Sequence, residues 1–344
     1  MPASFPQRKI GGTHVSAIGL GCMGMSISAV TGEQRNEEEI YNTLTTAADM
    51  GITFWDTSDF YFDNEELLGE WFSKTGRRNE IFLATKFGCR RGDTLGDVQI
   101  NGKPEYVREA IEKSLKALGT DHIDLYYVHR IDPKTPIEKT VEVLKELKEQ
   151  GKIRHIGLSE CSSRTLERAS KVVKIDAVQM EFSPFAMEIE DTGFKDVARK
   201  LGVAIVPYSP LGRGFLSGAI KSRADLAPND PRARMHPRFS EENFPSNLKL
   251  VQIFEDIAKE KGATTGQIAL AWVLAQGDDF IPIPGTKRVK YLIENAGAVN
   301  VNFTEEDEKR VRSGLDAIGG AKGARYPEAV LTGCFGDSPE FGSA

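Results

Sequence analysis

Eight short runs of β-branched and apolar residues, each separated from the next by a helical stretch, constrain this chain more than any other feature. The runs fall at 18–21, 53–56, 81–86, 123–129, 155–159, 177–181, 204–208 and 280–284. Helical spacing appears at 36–50, 65–75, 104–118, 136–150, 164–173, 192–201, 248–261 and 288–296, with an extra helix at 265–275. In 104–118, for example, Val107, Ile111, Leu115 and Leu118 share one face, and Gly119 stands at the C-cap. Strands that alternate with helices pair in parallel through right-handed crossovers. Several runs are apolar throughout, as a sheet buried on both faces requires. A doubly wound open sheet and a closed (β/α)8 TIM barrel both satisfy this order. Eight strands and 344 residues favour the barrel, as one domain over 1–344.

Gly11-Gly12, between strand-like pieces at 8–10 and 14–17, reads as a β-hairpin capping the barrel bottom. The stretch 209–247 holds Pro228, Pro231, Pro237 and Pro245 and little periodicity. A loop that long is uncommon unless functional, and after the seventh strand it lies over the C-terminal face. The tail at 319–344 is irregular and either folds back over the barrel or moves freely. Net charge is −6 with both signs interspersed, so nothing marks a nucleic-acid footprint. No apolar run reaches the roughly 18–20 residues of a membrane span, and Met1-Pro2-Ala3-Ser4 opens no signal peptide. Cys22, Cys89, Cys161 and Cys334 form no CxxC pair. They read as small buried residues of a reduced, cytoplasmic protein without a metal site. Oligomeric state leaves no mark on the sequence.

Gly19-Leu20-Gly21-Cys22-Met23-Gly24 matches G-x-G-x-x-G. A Rossmann pyrophosphate loop needs such glycines to open a helix directly. Here 25–32 intervenes, and the next strand-end acid, Asp56, comes too late. The motif therefore reads as a tight turn at the barrel mouth.

Polar residues that end barrel strands face a shared pocket. That rule gathers Asp56, Lys86 and His129 from three strand ends, and Tyr61 from the loop beyond Asp56. Each alone has an ordinary reading: a helix cap, an ion pair, a packed ring, a satisfied imidazole. Together they make coherent chemistry. A free phenol is a poor acid, with a pKa of about 10. An adjacent ammonium lowers it, so Lys86 is expected to activate Tyr61 while Asp56 fixes Lys86. A neutral His129 then orients a carbonyl, and charge developing on its oxygen is stabilised between His129 and Tyr61. Such a site suits hydride addition to a carbonyl, with the hydride coming from a cofactor.

The segments 18–21, 54–61, 64–69, 85–86, 124–130, 151–159, 208–214 and 283–287, with Gln179, Glu294 and Asn295, closely resemble the aldo-keto reductases, in particular the branch of pyridoxal and perakine reductases. The resemblance runs from Val15 to about Ala317. It implies NADPH-dependent reduction of a small aldehyde or ketone and assigns the tetrad to Asp56, Tyr61, Lys86 and His129. It also implies cofactor contacts. Gly21, Cys22 and Met23, with Asp56, would line the nicotinamide-ribose side; Ser159 and Gln179 would bind the carboxamide; Tyr208 would stack on the ring. Ser209, Pro210, Leu211, Gly212 and Arg213 would wrap the pyrophosphate. Gly285, Thr286 and Lys287 would meet the 2′-phosphate, with Tyr291, Glu294 and Asn295 near the adenosine. Three positions depart from the pattern: Glu160 stands where Asn is common, Phe62 where Gly is usual, and Tyr291 where some members carry Arg. Two other readings stay open, a Schiff-base aldolase using Lys86 and a cofactor-binding subunit of a membrane channel with little turnover.

Overall fold

The computed structural model describes residues 5–26, 34–91, 98–227 and 230–342, so the chain start, Gly32, Pro228 and the last two tail residues lie outside them. Two hairpin strands come first, β1 (Gln7–Ile10) and β2 (Thr13–Ser16). Seven parallel strands follow: β3 (Leu20–Gly21), β4 (Phe54–Asp56), β5 (Phe82–Phe87), β8 (Ile123–Val128), β9 (Ile153–Ser159), β10 (Ala177–Glu181) and β11 (Ala204–Tyr208). Their order across the sheet is β11-β10-β9-β8-β5-β4-β3. A second antiparallel hairpin, β6 (Cys89–Arg91) with β7 (Val98–Ile100), follows β5 and was not legible in the sequence.

The eighth run closes the barrel without forming a regular strand. Its Ile281 and Ile283 amides donate to Ile205 and Pro207 carbonyls at 2.9 and 3.1 Å, on the β11 side. On the β3 side, the Pro282 and Pro284 carbonyls accept from Gly19 and Gly21 at 2.9 and 3.2 Å. Proline has no N–H to return, so the seam on the β3 side is bonded in one direction only, while on the β11 side the Ile205 amide also donates to the Asp279 carbonyl at 2.7 Å. Parallel bridges Ile205↔Phe280 and Gly21↔Gly285 mark the two contacts.

Side chains alternate between two cores, as period-two strands require. Outward residues such as Trp55, Leu83, Tyr126, Ile156, Val178 and Ile205 pack with the helices. Inward residues Phe54, Phe82, Ala84, Leu125, Tyr127, Ala177, Ala204, Val206, Ile281 and Ile283 fill the barrel. Ile10 and Val15 of the first hairpin join this inner core. The hairpin's Thr13 hydroxyl meets His155 Nε2 at 2.9 Å near the start of β9, and Ser16 Oγ accepts from the Phe54 amide that opens β4. It thus closes the N-terminal end of the barrel.

Gly157 on β9 makes room for Tyr127 across the inner core: a Cβ there would lie 2.3 Å from the tyrosine ring. Both backbone and ring are fixed in the barrel. Gly157→Ala should therefore destabilise the fold by about 1–3 kcal/mol through overpacking, read as a lower urea midpoint with an unchanged slope.

Helices fill the connections, with some changed bounds. The expected helix at 192–201 is shortened to Phe194–Lys200, entered through Gly193 at φ +70°, and a short helix, Glu188–Asp191, precedes it. The helix Glu305–Ile318 was not expected at all. It begins in a capping box, Thr304 with Asp307, and buries only Val311 and Leu315 among its apolar residues. The described part of 209–247 holds short turns and the helix Pro231–Met235, and the helix expected from 248 begins earlier, as Phe244–Lys261. The tail folds back: Gly336 donates its amide to Glu160 O at 2.7 Å and accepts from the Ser162 amide at 3.0 Å, extending the end of β9. Among the described residues no helix is long and apolar enough to cross a membrane.

Candidate active site

The inward parity of each strand carries the polar residues to the barrel mouth. Two residues beyond Phe54 comes Asp56; beyond Ala84, Lys86; beyond Tyr127, His129; beyond Ala177, Gln179; and beyond Val206, Tyr208. Lys86 is wholly buried and its ammonium makes three contacts: Asp56 Oδ1 at 2.6 Å, the Thr57 carbonyl at 2.7 Å and the Tyr61 hydroxyl at 3.3 Å. The other Asp56 oxygen accepts from Gln179 Nε2 at 2.7 Å. The imidazole of His129 stands edge-on to the Tyr61 ring at 5.7 Å between centroids, and its Nδ1 meets Ser58 Oγ at 3.1 Å. All four tetrad residues named from the sequence are thus brought together.

Burial alone would discharge Lys86, but the Asp56 carboxylate reverses that and holds the ammonium charged. Burial pushes His129 well below the usual imidazole range, with the cations Arg130 and Lys86 acting the same way, so the ring is neutral. The expected lowering of Tyr61 is corrected. Desolvation raises the phenol, and the Lys86 charge opposes it without winning. The physical reason is burial first: the hydroxyl loses more by desolvation than the Lys86 charge returns, and the nearby Asp56 carboxylate, closer to the ammonium than Tyr61 is, adds to the rise.

Two residues that the sequence reading left without a role hold the site together. Ser58 orients His129. Asn64 donates to the Cys22 carbonyl at 2.9 Å and to Ser26 Oγ at 2.8 Å, and accepts from Thr57 Oγ1 at 2.6 Å. It therefore ties the glycine turn of 19–24 to the loop bearing Tyr61. That turn leads into a three-residue 3-10 turn, Met23–Met25, and not a long helix. The motif was a poor guide, and Asn64 at a helix start would pass as a cap.

The residues assigned to a cofactor differ in burial and backbone conformation. Ser159 Oγ is buried and has no hydrogen-bond partner. Gly21 faces the closing run, where a Cβ would meet the Ile283 carbonyl at 2.8 Å. Cys22 is buried and Met23 exposed. Beyond β11, Ser209 and Arg213 hold φ of +50° and +57°, conformations that side chains rarely adopt; Pro210, Leu211 and Gly212 lie between them. Gly285 is exposed, and Thr286 accepts the Arg288 amide at 3.1 Å, just before the helix Val289–Ala296 that carries Tyr291, Glu294 and Asn295. Tyr291 is exposed, Asn295 is buried, and Glu294 accepts from Thr264 Oγ1 at 2.8 Å.

Two of the three departures have structural partners. Phe62 has φ +58°, the left-handed region where glycine is at ease, and the Arg91 guanidinium lies 3.2 Å from its ring centroid. Glu160 has φ +50°, which asparagine tolerates better than glutamate. Its carboxylate turns away from solvent into a bidentate pair with Arg325 of the tail, at 2.8 and 2.7 Å. Burial opposes the Glu160 charge, yet Arg325 outweighs it and holds the carboxyl down at about 2. Arg213 is paired with Glu181 at 2.9 Å.

Residues 17–316 match the model of the Aldo/keto reductase family. The chain is 51% identical over 340 residues to the NADP(+) aldo-keto reductase yakc of Schizosaccharomyces pombe, covering 98% of each chain. It is 47% identical over 343 residues to the aldo-keto reductase str7 of Strobilurus tenacellus, again with 98% of each covered. Among solved structures it is similar to the glycerol dehydrogenase AKR11B4 of Gluconobacter oxydans, with a TM-score of 0.81 at 27% identity over 92% of this chain and 96% of that one.

Proposed function

The chain belongs to the aldo/keto reductase family, and on that premise we propose that it reduces aldehydes or ketones to alcohols with NADPH, Tyr61 giving the proton. The observation that carries this reading is the run of contacts from Asp56 through Lys86 to the Tyr61 hydroxyl, with a neutral His129 across the tyrosine ring.

NADPH, when bound, supplies the hydride to the carbonyl carbon. The residues present fit it: the unpartnered Ser159 hydroxyl is the kind of group a carboxamide would satisfy. The Tyr208 ring borders the same space. The strained Ser209–Arg213 backbone fits a pyrophosphate, with the Arg213 guanidinium, paired with Glu181, adding positive charge nearby, as Thr286, Lys287 and the following helix start fit a 2′-phosphate. Tyr61 hands its hydroxyl proton to the carbonyl oxygen as that oxygen becomes an alcohol. Lys86 stabilises the phenolate left behind. A Ser58 hydroxyl donated to His129 Nδ1 places the ring proton on Nε2, where it orients the carbonyl.

A Schiff-base role for Lys86 is disfavoured by the same geometry. An ammonium must lose a proton before it has a lone pair for attack, and here three acceptors and the Asp56 charge hold its three hydrogens in place. The four free thiols suit the reducing cytoplasm.

Mixing the protein with NADPH and a panel of aldehydes and ketones should consume NADPH, followed by absorbance. One charge-assisted contact to the 2′-phosphate predicts NADPH favoured over NADH by about tenfold or more in kcat/KM. No turnover on any carbonyl, with NADPH still bound, would overturn the enzyme reading in favour of a cofactor-binding module.

A further inference from the structure

The barrel mouth buries more charge than the tetrad needs. Glu160 and Glu181 are both fully buried at the ends of β9 and β10, and Arg325 is 3% exposed between them. Arg325 binds both Glu160 oxygens, lies 3.5 Å from Glu181 Oε2, and donates to the Tyr208 hydroxyl at 3.3 Å. That hydroxyl donates in turn to Glu160 Oε1 at 2.9 Å and lies 3.4 Å from the Tyr326 hydroxyl. The Arg213 guanidinium sits 4.3 Å from the Tyr326 ring centroid. The tail segment carrying these two residues is fixed from behind. His236 Nδ1 meets the Arg325 carbonyl at 2.9 Å, and Asn247 bonds the Lys322 backbone in both directions.

We propose that Arg325, on the C-terminal segment, is a positioning residue for the nicotinamide end of the cofactor site. This rests on the reading of Ser159 and Tyr208 as cofactor contacts. Buried ion pairs are poor devices for stability, because desolvation offsets their attraction. What this pair does supply is direction. Glu160 is the strained residue directly after Ser159. Its backbone is held on both sides, its amide donating to the Gln179 carbonyl at 3.1 Å and its carbonyl accepting from the Gly336 amide. Clamping its carboxylate to Arg325 fixes the turn that aims the unpartnered Ser159 hydroxyl. The same guanidinium and carboxylate fix the far end of Tyr208, leaving its ring as a rigid face. Arg325 acts through Ser159 and Tyr208 and touches no reacting atom.

The test is the NADPH dissociation constant of the full chain, read by quenching of intrinsic fluorescence, alongside the KM for one carbonyl substrate at saturating NADPH. Loss of a charge-assisted buried contact predicts that Arg325→Gln weakens NADPH by about tenfold or more, with carbonyl KM within about twofold of wild type. Arg325→Lys keeps the charge without the bidentate fork, and should recover thermal stability but not NADPH affinity. The double variant Glu160→Gln/Arg325→Gln removes both buried charges, and decides the matter should the single variant not fold. It should fold and still bind NADPH weakly. A folded Arg325→Gln or double variant that binds NADPH as wild type does overturns the positioning role and leaves the reductase reading intact. A wild-type chain that takes up no NADPH overturns both.

Discussion

Replacing Tyr61 by phenylalanine should lower kcat for carbonyl reduction by about 10²- to 10⁴-fold, the usual worth of a positioned proton donor, while NADPH binding stays near wild type. The structure explains why the loss should be confined to chemistry. Among the described residues the phenol oxygen has one hydrogen-bond partner, Lys86 at 3.3 Å, and the ammonium keeps its shorter bonds to Asp56 and the Thr57 carbonyl without it. The ring, packed edge-on to His129, is unchanged. Thermal stability should therefore move little. The pH profile is a second check on the same group. Burial raises Tyr61 and lowers His129, so the acid stays protonated and the imidazole neutral across the window between their ordinary values, about 6.5 to 10. The reductive rate should be flat there. A fall in rate as pH rises through neutrality would mean that the phenol ionises early, contrary to the ion-pair geometry. A Tyr61→Phe protein reducing a good aldehyde at the wild-type rate would remove Tyr61 from the mechanism altogether.

Strand parity is why so much of this site could be read from the chain alone. Once Phe54, Ala84 and Tyr127 are inward, Asp56, Lys86 and His129 must be inward too, and the barrel brings adjacent strand ends together. The eighth run was visible as apolar residues, but its prolines leave its β3 side bonded in one direction only, which no periodicity describes. The helix Glu305–Ile318 escaped because its apolar stripe is thin: two buried positions four apart in a charged segment, with the Thr304–Asp307 capping box its clearest signal. Glu160 stands out in the sequence only as a departure from Asn, because its partner, Arg325, lies 165 positions away. Pairings over such distances leave no local pattern. The sign of the Tyr61 shift depends on how far the folded barrel desolvates the hydroxyl against the opposing Lys86 charge, and burial of a loop residue leaves no local pattern.

Replacing Lys86 by methionine should abolish most activity and also unsettle the fold, and the two losses should separate. Methionine fills much the same space without the charge, so packing is nearly kept. Asp56 is left 3% exposed with Gln179 as its remaining hydrogen-bond donor. Removing one partner of a buried ion pair typically costs about 3–5 kcal/mol, and this should appear in urea unfolding at neutral pH. The orphaned carboxyl can escape by taking up a proton, since burial already pushes Asp56 upward and the opposing Lys86 charge would be gone. The native state then binds a proton that the unfolded state releases above about pH 4, so native stability falls as pH rises from there. The penalty should be smaller at pH 5 than at pH 8, opposite to the trend for a carboxylate lost from a salt bridge. Adding Asp56→Asn removes the charge that drives this dependence. The double variant should regain most of the stability at pH 8 and lose the extra pH dependence, yet remain inactive, because nothing then supports the phenolate at Tyr61. A penalty equal at both pH values, or a double variant no more stable than the single one, would show that Lys86 serves the fold by packing rather than by pairing with Asp56.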